Sequence, residues 1–335
     1  MRLITLEEAK AGDICAVDIR NAKNVLLVSS GSVLTEKLIQ GLKAYNFSSI
    51  YIDDEISAGI ETSFALKDKT IKKIITALAK QDIDQLTVLS KALVTELSTD
   101  LFENDMRMIG DYDSYTQQHS LNVATYATVL SKAIGLTPKT SELVAQAGLL
   151  HDIGKLQIAP DIIQKPGKLT NEEYDIVKTH AELGYQTLLD RQDVWSVVRV
   201  GVKEHHENED GSGYPMKLTG DKIHTIGKLL HIADVFDALT TKRSYKDAWS
   251  YFDALNYITE QAGKMFDVTY SAVFQRCIPL YPKGTFVTLN TGVQAIVMKN
   301  YVADPRRPMV RTIDGDVINL LTDGQYSHIY IVNEK

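Results

Sequence analysis

The spacing of apolar positions changes character along this chain. From Asp13 to Asp53, the short β-rich runs Ile14 to Ile19 and Val25 to Val28 precede a helical stretch opened by Thr35 and a further run from Ile50 to Ile52. That mixture predicts a small α/β module. Between about Phe64 and Met108, apolar residues recur at helical spacing, among them Ile71, Ile74, Ile75 and Leu78, and predict connecting helices. From Asp111 to Tyr281 most segments carry a 3.6-residue period, with Val123, Ala124, Ala127, Leu130, Ala133 and Ile134 on one face turned toward a core. Thr170 followed by Glu173 is a capping-box start and predicts a helix over Tyr174 to Leu189. After Pro282 the texture switches to alternation and turns: Phe286 to Leu289, Thr291-Gly292, Ala295 to Met298, Met309 to Ile313, Asp314-Gly315 and Val317 to Leu320. A small β-rich domain follows, either a barrel or an open sheet. The whole reads as mainly α: an α/β module over 1–57, connecting helices over 58–110, a helical bundle over 111–282 and the β-rich domain over 283–335.

Length agrees with that division, since 335 residues exceed what one small core organises. With 44% hydrophobic and 24% charged residues the chain has an ordinary globular composition. Apolar runs such as Val25 to Val28 fall far short of the roughly 20 residues that span a bilayer. The N-terminal segment has glutamates and an aspartate where an export signal would have an apolar core. No membrane insertion and a cytoplasmic location are therefore expected. Cys15 and Cys277 have no partner at a zinc-ribbon or redox spacing, which disfavours a disulfide or a thiolate metal site. The balance of 36 basic against 43 acidic residues, a net charge of -7, argues against binding polymeric nucleic acid. A phosphate-bearing ligand must be held by a local site.

Within the helical stretch, histidines and aspartates recur as His119, His151-Asp152, His180, His205-His206 and Asp234. Each falls on a predicted helix or at a helix end, so a bundle can turn them toward one interior volume. Imidazole nitrogen and carboxylate oxygen suit iron, manganese, zinc and similar divalent ions. The apolar stretch Ala145 to Leu150 should bury His151-Asp152, and a buried carboxylate needs its charge compensated. A cation does that; so does Lys155, three residues on along the same helical face, by a plain salt bridge.

These residues are carried by the strings GLLHDIGKLQIAPDII from Gly148, KTHAELG from Lys178, HHENEDGSGYP from His205 and HIADVFDALTTKRSYK from His231. Through them the chain from about Asp111 to Pro282 resembles the HD-GYP phosphodiesterases, a branch of the HD-domain hydrolases. The string with Gly213-Tyr214-Pro215 is the specific part. The resemblance implies a helical-bundle catalytic domain that hydrolyses cyclic di-GMP to linear pGpG, with or without a further step to GMP, by a metal-bridging hydroxide in bacterial signalling. It implies two divalent metal ions, iron or manganese. His119, His151, Asp152 and Asp234 would surround one, and Asp152 would bridge to a second held by His180, His205 and His206. Two such cations activate water and stabilise the phosphoryl transition state. Lys155 would stand beside the phosphate as a cation or acid.

Substrate contacts are expected from Arg243 and Lys246, a guanidinium and an ammonium suited to phosphates, and from the loop that holds Gly211 and Tyr214. Taken without the resemblance, Arg243 and Lys246 read as a solvated helix end. Some members hold a third metal with a glutamate one helical turn before the first histidine and an aspartate one turn after the last. Here the later position is Asp237, but the earlier is Tyr115, whose phenol ordinarily titrates near pH 10. That puts the third metal in doubt and leaves Asp237 for a water or the substrate edge. Rival readings are a phosphohydrolase acting on another nucleotide, including another cyclic dinucleotide, and a cyclic-dinucleotide-binding scaffold without turnover. The N-terminal module reads as an input domain, a dimerisation surface or a lid, and the β-rich tail as any of these; a homodimer or a signalling-protein partner is the macromolecular partner expected.

Overall fold

The computed structural model describes residues 1–21, 25–45, 47, 49–60, 66–97, 115–165, 167–241 and 248–334. Its elements in chain order are β1 (Arg2–Thr5), β2 (Ile14–Cys15), β3 (Ile19–Arg20), β4 (Leu26–Val28), α1 (Glu36–Ala44), β5 (Ser49–Asp53), α2 (Asp68–Lys80), α3 (Ile83–Glu96), α4 (Tyr115–Ala133) and α5 (Pro138–Leu150). A 3₁₀ turn over Ile153–Gln157 leads to α6 (Pro160–Ile163), α7 (Asn171–Lys178), α8 (His180–Thr187), α9 (Ser196–Glu204), α10 (Thr225–Thr240), α11 (Tyr251–Glu260) and α12 (Val268–Cys277). The strands β6 (Phe286–Leu289), β7 (Gln294–Lys299), β8 (Met309–Thr312), β9 (Val317–Asn319) and β10 (Ile331–Glu334) complete it. The protein is mainly α, as its periodicity predicts. Two compact units result, one gathering Met1–Ala65 with Ile278–Lys335 and the other Leu66–Thr99 with Thr116–Cys277. Among the described residues, no helix is long and apolar enough to cross a membrane.

In the first unit an antiparallel sheet runs in the order β1-β5-β2, and β3 pairs with β4. Ile4, Ile50 and Ile52 bury against Ile39 and Leu42 of α1. Thr35 caps that helix by accepting from the Leu38 amide. The expected run from Ile14 to Ile19 is two short strands, with Ala16 to Asp18 between them; there Asp18 accepts from the Ser30 amide instead of a ladder partner. Strand β1 precedes the alternation visible in the sequence and runs into the helix-favouring Leu6 to Ala9; pairing with β5 overrides that local preference.

The C-terminal strands of the same unit form one antiparallel sheet in the order β10-β6-β7-β8-β9, an open sheet rather than a barrel. Val287, Leu289, Ala295, Val297 and Val310 point into its core. Arg311 donates to the carbonyls of Ile56 and Ala58 at 3.3 and 2.6 Å, and the Arg2 guanidinium lies 5.1 Å from the Phe286 ring centroid. These contacts join the α/β module to the sheet.

The second unit is helical. Val123, Ala124, Ala127 and Leu130 are buried as the period of α4 requires, but Ala133 is exposed. The helix ends there, and Ser131 takes the inward place by donating to the Thr128 carbonyl and to Ser141 Oγ. Tyr126, Phe236 and Phe274 pack edge to face, with centroids of successive rings 5.1 and 5.2 Å apart. Contacts run from α3 to α5, α5 to α9 and α9 to α10. The single helix expected over Tyr174 to Leu189 is divided between α7 and α8 at Thr179. The Thr170–Glu173 capping box does open α7. At its other end, Thr179 Oγ1 donates to the Ile176 carbonyl and His180 Nδ1 takes the Val177 carbonyl, so side chains occupy acceptors that a continuous helix would use.

Glycines allow the close crossings of this unit. A Cβ on Gly148 would stand 2.5 Å from Ala124 Cα, where α5 meets α4, and one on Gly201 would stand 2.4 Å from an Ile226 side-chain carbon, where α9 meets α10. A Cβ on Gly154 would stand 2.0 Å from the His180 carbonyl and 2.4 Å from the Gly184 amide. Backbone cannot yield there as a flexible side chain does, so Gly154→Ala is expected to destabilise the protein by about 1–3 kcal/mol. Urea unfolding of the variant checks this; a midpoint equal to that of the parent would contradict the tight 3₁₀-to-α8 contact.

Candidate metal centre

The side chains that converge in the second unit sit mainly at helix ends. His151 caps the C-terminus of α5, His205 caps that of α9, and His180 follows Thr179, the C-cap of α7. The last carbonyls of a helix lack intrahelical partners. Each of these histidines supplies one: His151 Nδ1 lies 2.8 Å from the Gly148 carbonyl, His180 Nδ1 2.7 Å from that of Val177, and His205 Nδ1 2.6 Å from that of Val202. A carbonyl only accepts, so Nδ1 carries the proton and, in the neutral ring, Nε2 is left as a bare lone pair. Those lone pairs face inward. His180 Nε2 and His205 Nε2 are 3.2 Å apart, as are His151 Nε2 and His119 Nε2.

Two sets of ligand-type atoms result. His119, His151 and Asp152 form one, and His180, His205 and His206 the other, with the atoms within each set no more than 4.8 Å apart. Asp152 joins them: its Oδ2 is 3.4 Å from His151 Nε2 and its Oδ1 is 3.5 Å from His180 Nε2. Asp234 reaches from α10 with Oδ1 3.1 Å from His119 Nε2 and Oδ2 3.8 Å from His206 Nδ1. The structure thus brings together all seven residues expected as ligands. Asp152 is buried, and its Oδ1 has no hydrogen-bond partner. Lys155 Nζ bonds Oδ2 at 2.6 Å, so the predicted salt bridge exists but satisfies only one oxygen. An orphaned buried oxygen among inward lone pairs fits a divalent cation, and nitrogen and oxygen donors suit the same ions.

The electrostatics agree. Burial opposes the charge on Asp152, yet His151 and Lys155 hold its carboxyl well below the usual range. Burial likewise opposes charge on Asp234, but His119 keeps it well below that range. Burial pushes His205 and His206 well below the ordinary imidazole value, and His180 below it too. His119 goes the other way. Burial works against protonation, but hydrogen bonds to Asp234 and Asp237 raise it to about 10. In the metal-free chain a proton on Nε2 therefore stands where a cation would bind.

Other expected residues are placed differently. Asp237 was expected to face a water or the substrate; instead it is buried, with Oδ2 2.7 Å from His119 Nδ1 and Oδ1 2.6 Å from Asn122 Nδ2. Asn122 in turn accepts from Gln118 at 2.7 Å. With both oxygens engaged, Asp237 orients His119, as carboxylates do behind metal-bound histidines. The substrate role assigned to it is corrected accordingly. Gly211 has φ +79°, and its α-carbon faces Thr219 across the bridge between Asp210 and Thr219, which makes it a turn residue of the loop. Tyr214 stacks on His206 at 4.7 Å and lies 6.4 Å from His180, beside the second set. Burial raises its phenol pKa, with further contributions from Tyr174, Asp234 and Asp152. Arg243 and Lys246 lie outside the described residues, as does the side chain of Tyr115.

Sequence reasoning missed the residues that hold this loop. Glu207 is buried and accepts from the amides of Met216 and Leu218. His231 Nε2 bonds Asn208 Oδ1 at 2.9 Å, Asn208 Nδ2 donates to Ser212 Oγ, and Ser212 donates to Asp210. Gln118 and Asn122 were detectable in principle, since they interrupt the apolar face of α4 with polar groups flanking His119.

The HD domain family profile matches residues 103–270. A cyclic di-GMP phosphodiesterase of Pseudomonas aeruginosa is 30% identical, over 78% of this chain and 64% of its own length. A cyclic di-GMP phosphodiesterase response regulator of Xanthomonas campestris is 34% identical, over 55% of this chain and 49% of its own. A 3′3′-cGAMP-specific phosphodiesterase of Vibrio cholerae is 32% identical, over 64% of this chain and 41% of its own. The chain thus spans between about two fifths and two thirds of these relatives. The solved structure of an HDGYP protein from Bdellovibrio bacteriovorus has the same fold, with a TM-score of 0.53 at 17% identity over 81% of this chain and 97% of that one.

Protonated His119 has a consequence for metal loading. Below its value of about 10 the ring holds a proton that a cation must displace, whereas the neutral His180, His205 and His206 have none to give. Binding of Mn²⁺ at pH 7 is expected to release protons, that of His119 among them, and affinity should rise with pH. Calorimetry in buffers of different ionisation enthalpy measures it, and heat independent of the buffer would contradict it. Asp237→Ala should weaken metal binding by about 10- to 100-fold, read by the same titration; unchanged affinity would remove its orienting role.

Proposed function

The chain belongs to the HD domain family, in its HD-GYP branch, and from that membership we propose that it is a metal-dependent phosphodiesterase that hydrolyses a cyclic dinucleotide. Cyclic di-GMP is the first substrate, opened to linear pGpG, with or without a further step to GMP. The observation that carries this reading is the pair of buried donor sets sharing Asp152. A surplus of lone pairs is costly in a mere binding fold, where apolar residues would fill the same volume without unpaired acceptors.

In this reading His119, His151, Asp152 and Asp234 hold one divalent cation, and Asp152, His180, His205 and His206 hold a second, iron or manganese. Such a pair lowers the pKa of water and neutralises charge that develops on a phosphoryl group. The protein's own groups do the rest. The Gly148, Val177 and Val202 carbonyls fix which nitrogen of each ring faces inward. Lys155 Nζ, tied to Asp152 and about a third exposed, stands where it can donate to a phosphate oxygen or to the departing ribose oxygen. Tyr214 covers His206 and limits water beside the phosphate. Arg243 and Lys246 follow the helix that carries Asp234 and are assigned to the substrate phosphates.

The relatives named for 3′3′-cGAMP favour a test across several bases rather than one. Anaerobically purified, Mn²⁺- or Fe²⁺-loaded protein should convert cyclic di-GMP, and the panel of 3′3′-cGAMP and cyclic di-AMP ranks its preference. Asp152→Ala should lower turnover by at least about 10³-fold, because it removes the group common to both donor sets. Loaded parent protein that binds but turns over no cyclic dinucleotide would return the chain to the scaffold reading. Replacing Arg243 or Lys246 by Ala should weaken binding by about 1–3 kcal/mol at unchanged metal content.

A further inference from the structure

Between Asp152 and His180 the chain leaves the metal centre and returns to it. The excursion exposes several apolar side chains: Leu156, Ile163, Tyr174 and Ile176, with Tyr174 at 51%. Tyr174 sits on α7, one helical turn before Val177, whose carbonyl fixes His180. Its phenol is near enough to that of Tyr214 to act on it electrostatically, and Tyr214 stacks on His206, which puts Tyr174 beside the centre. The Tyr214 ring is 6.4 Å from that of His180.

The ring is held in place before any ligand arrives. The capping box between Thr170 and Glu173 fixes the first turn of α7, and Lys165 Nζ clasps both oxygens of Glu173 at 2.8 and 2.6 Å. Lys178 Nζ lies over the Tyr174 ring, 5.1 Å from its centroid, and is itself anchored to Asp175 at 2.5 Å. A cation over an aromatic ring polarises it, and one face of the phenol is thereby covered. An exposed aromatic face on a rigid helix, beside a site for phosphate, matches the flat π surface of a nucleobase.

We propose that Tyr174, backed by Lys178, is the platform on which one base of the dinucleotide stacks while its phosphate occupies the metal centre. This rests on the phosphodiesterase reading for the substrate class. Stacking accepts every base because each has a π face, so the platform supplies affinity for cyclic dinucleotides in general. Discrimination among them falls to groups that meet the base edges. A solitary exposed tyrosine is ordinarily only surface; here the fixed helix, the cation on one face and the adjacent centre assign it a ligand.

The test uses the full chain loaded with Mn²⁺ and a cyclic dinucleotide in which 2-aminopurine replaces one base. Stacking quenches that fluorophore whether or not turnover follows. The parent should quench it on binding, Tyr174→Ala should weaken binding about 5- to 100-fold with loss of quenching, and Tyr174→Phe and Tyr174→Trp should retain both. Hydrolysis of methyl p-nitrophenyl phosphate, a diester without a nucleobase, should be the same in Tyr174→Ala as in the parent. No quenching by the parent, or equal binding and quenching by Tyr174→Ala, overturns the platform. Failure of the phosphodiesterase reading shows elsewhere, as a parent that quenches the probe but turns over no cyclic dinucleotide.

Discussion

His151, His180 and His205 each give Nδ1–H to a carbonyl three residues back at the end of a helix, and that one bond has two effects. It satisfies a helix-terminal acceptor that would otherwise need water. It also leaves Nε2 bare and turned inward, where Asp152 and Asp234 add carboxylate oxygens. The interior therefore holds acceptors without the protons to match them, an arrangement costing several kcal/mol per buried charge unless a cation enters. Lys155 relieves one oxygen of Asp152, and a proton on His119 relieves part of the rest. The remaining lone pairs define a demand for metal that ordinary packing does not meet.

The surrounding architecture keeps these atoms close. Gly148 precedes His151 by one turn, Gly201 precedes His205 by one turn, and Gly154 follows Asp152 at the contact with His180. A methyl group at any of them would push apart the backbone elements that carry the donors. The loop after His206 is secured separately, by Glu207 accepting two amides and by the sequence of bonds from His231 through Asn208 and Ser212 to Asp210. Tyr214 is thereby presented to His206 by a fixed backbone.

Much of this is legible in the sequence. The histidine and aspartate order, the α4 period through Leu130 and the Thr170 capping box are local patterns, and the structure keeps them. Non-local features were less accessible. Strand β1 forms because β5 lies beside it, β10 because β6 does, and neither partner can be read from four residues. The break between α7 and α8 depends on a histidine side chain competing for a carbonyl. Asp237 was recognised as part of the cluster but given the wrong neighbour, since its partners His119 and Asn122 lie more than a hundred residues away. Three-residue spacing from Asp234 identifies a shared helix face, but not which oxygen meets which ring.

The proposed reading has the shared carboxylate of Asp152 between two cations. Anomalous diffraction at the iron or manganese edge, from crystals of protein loaded under reducing conditions, addresses it directly. Two peaks are predicted, one among His119, His151 and Asp234 and one among His180, His205 and His206, with Asp152 between them and no third peak beside Asp237. A single peak, or a peak bonded to Asp237, would contradict the account.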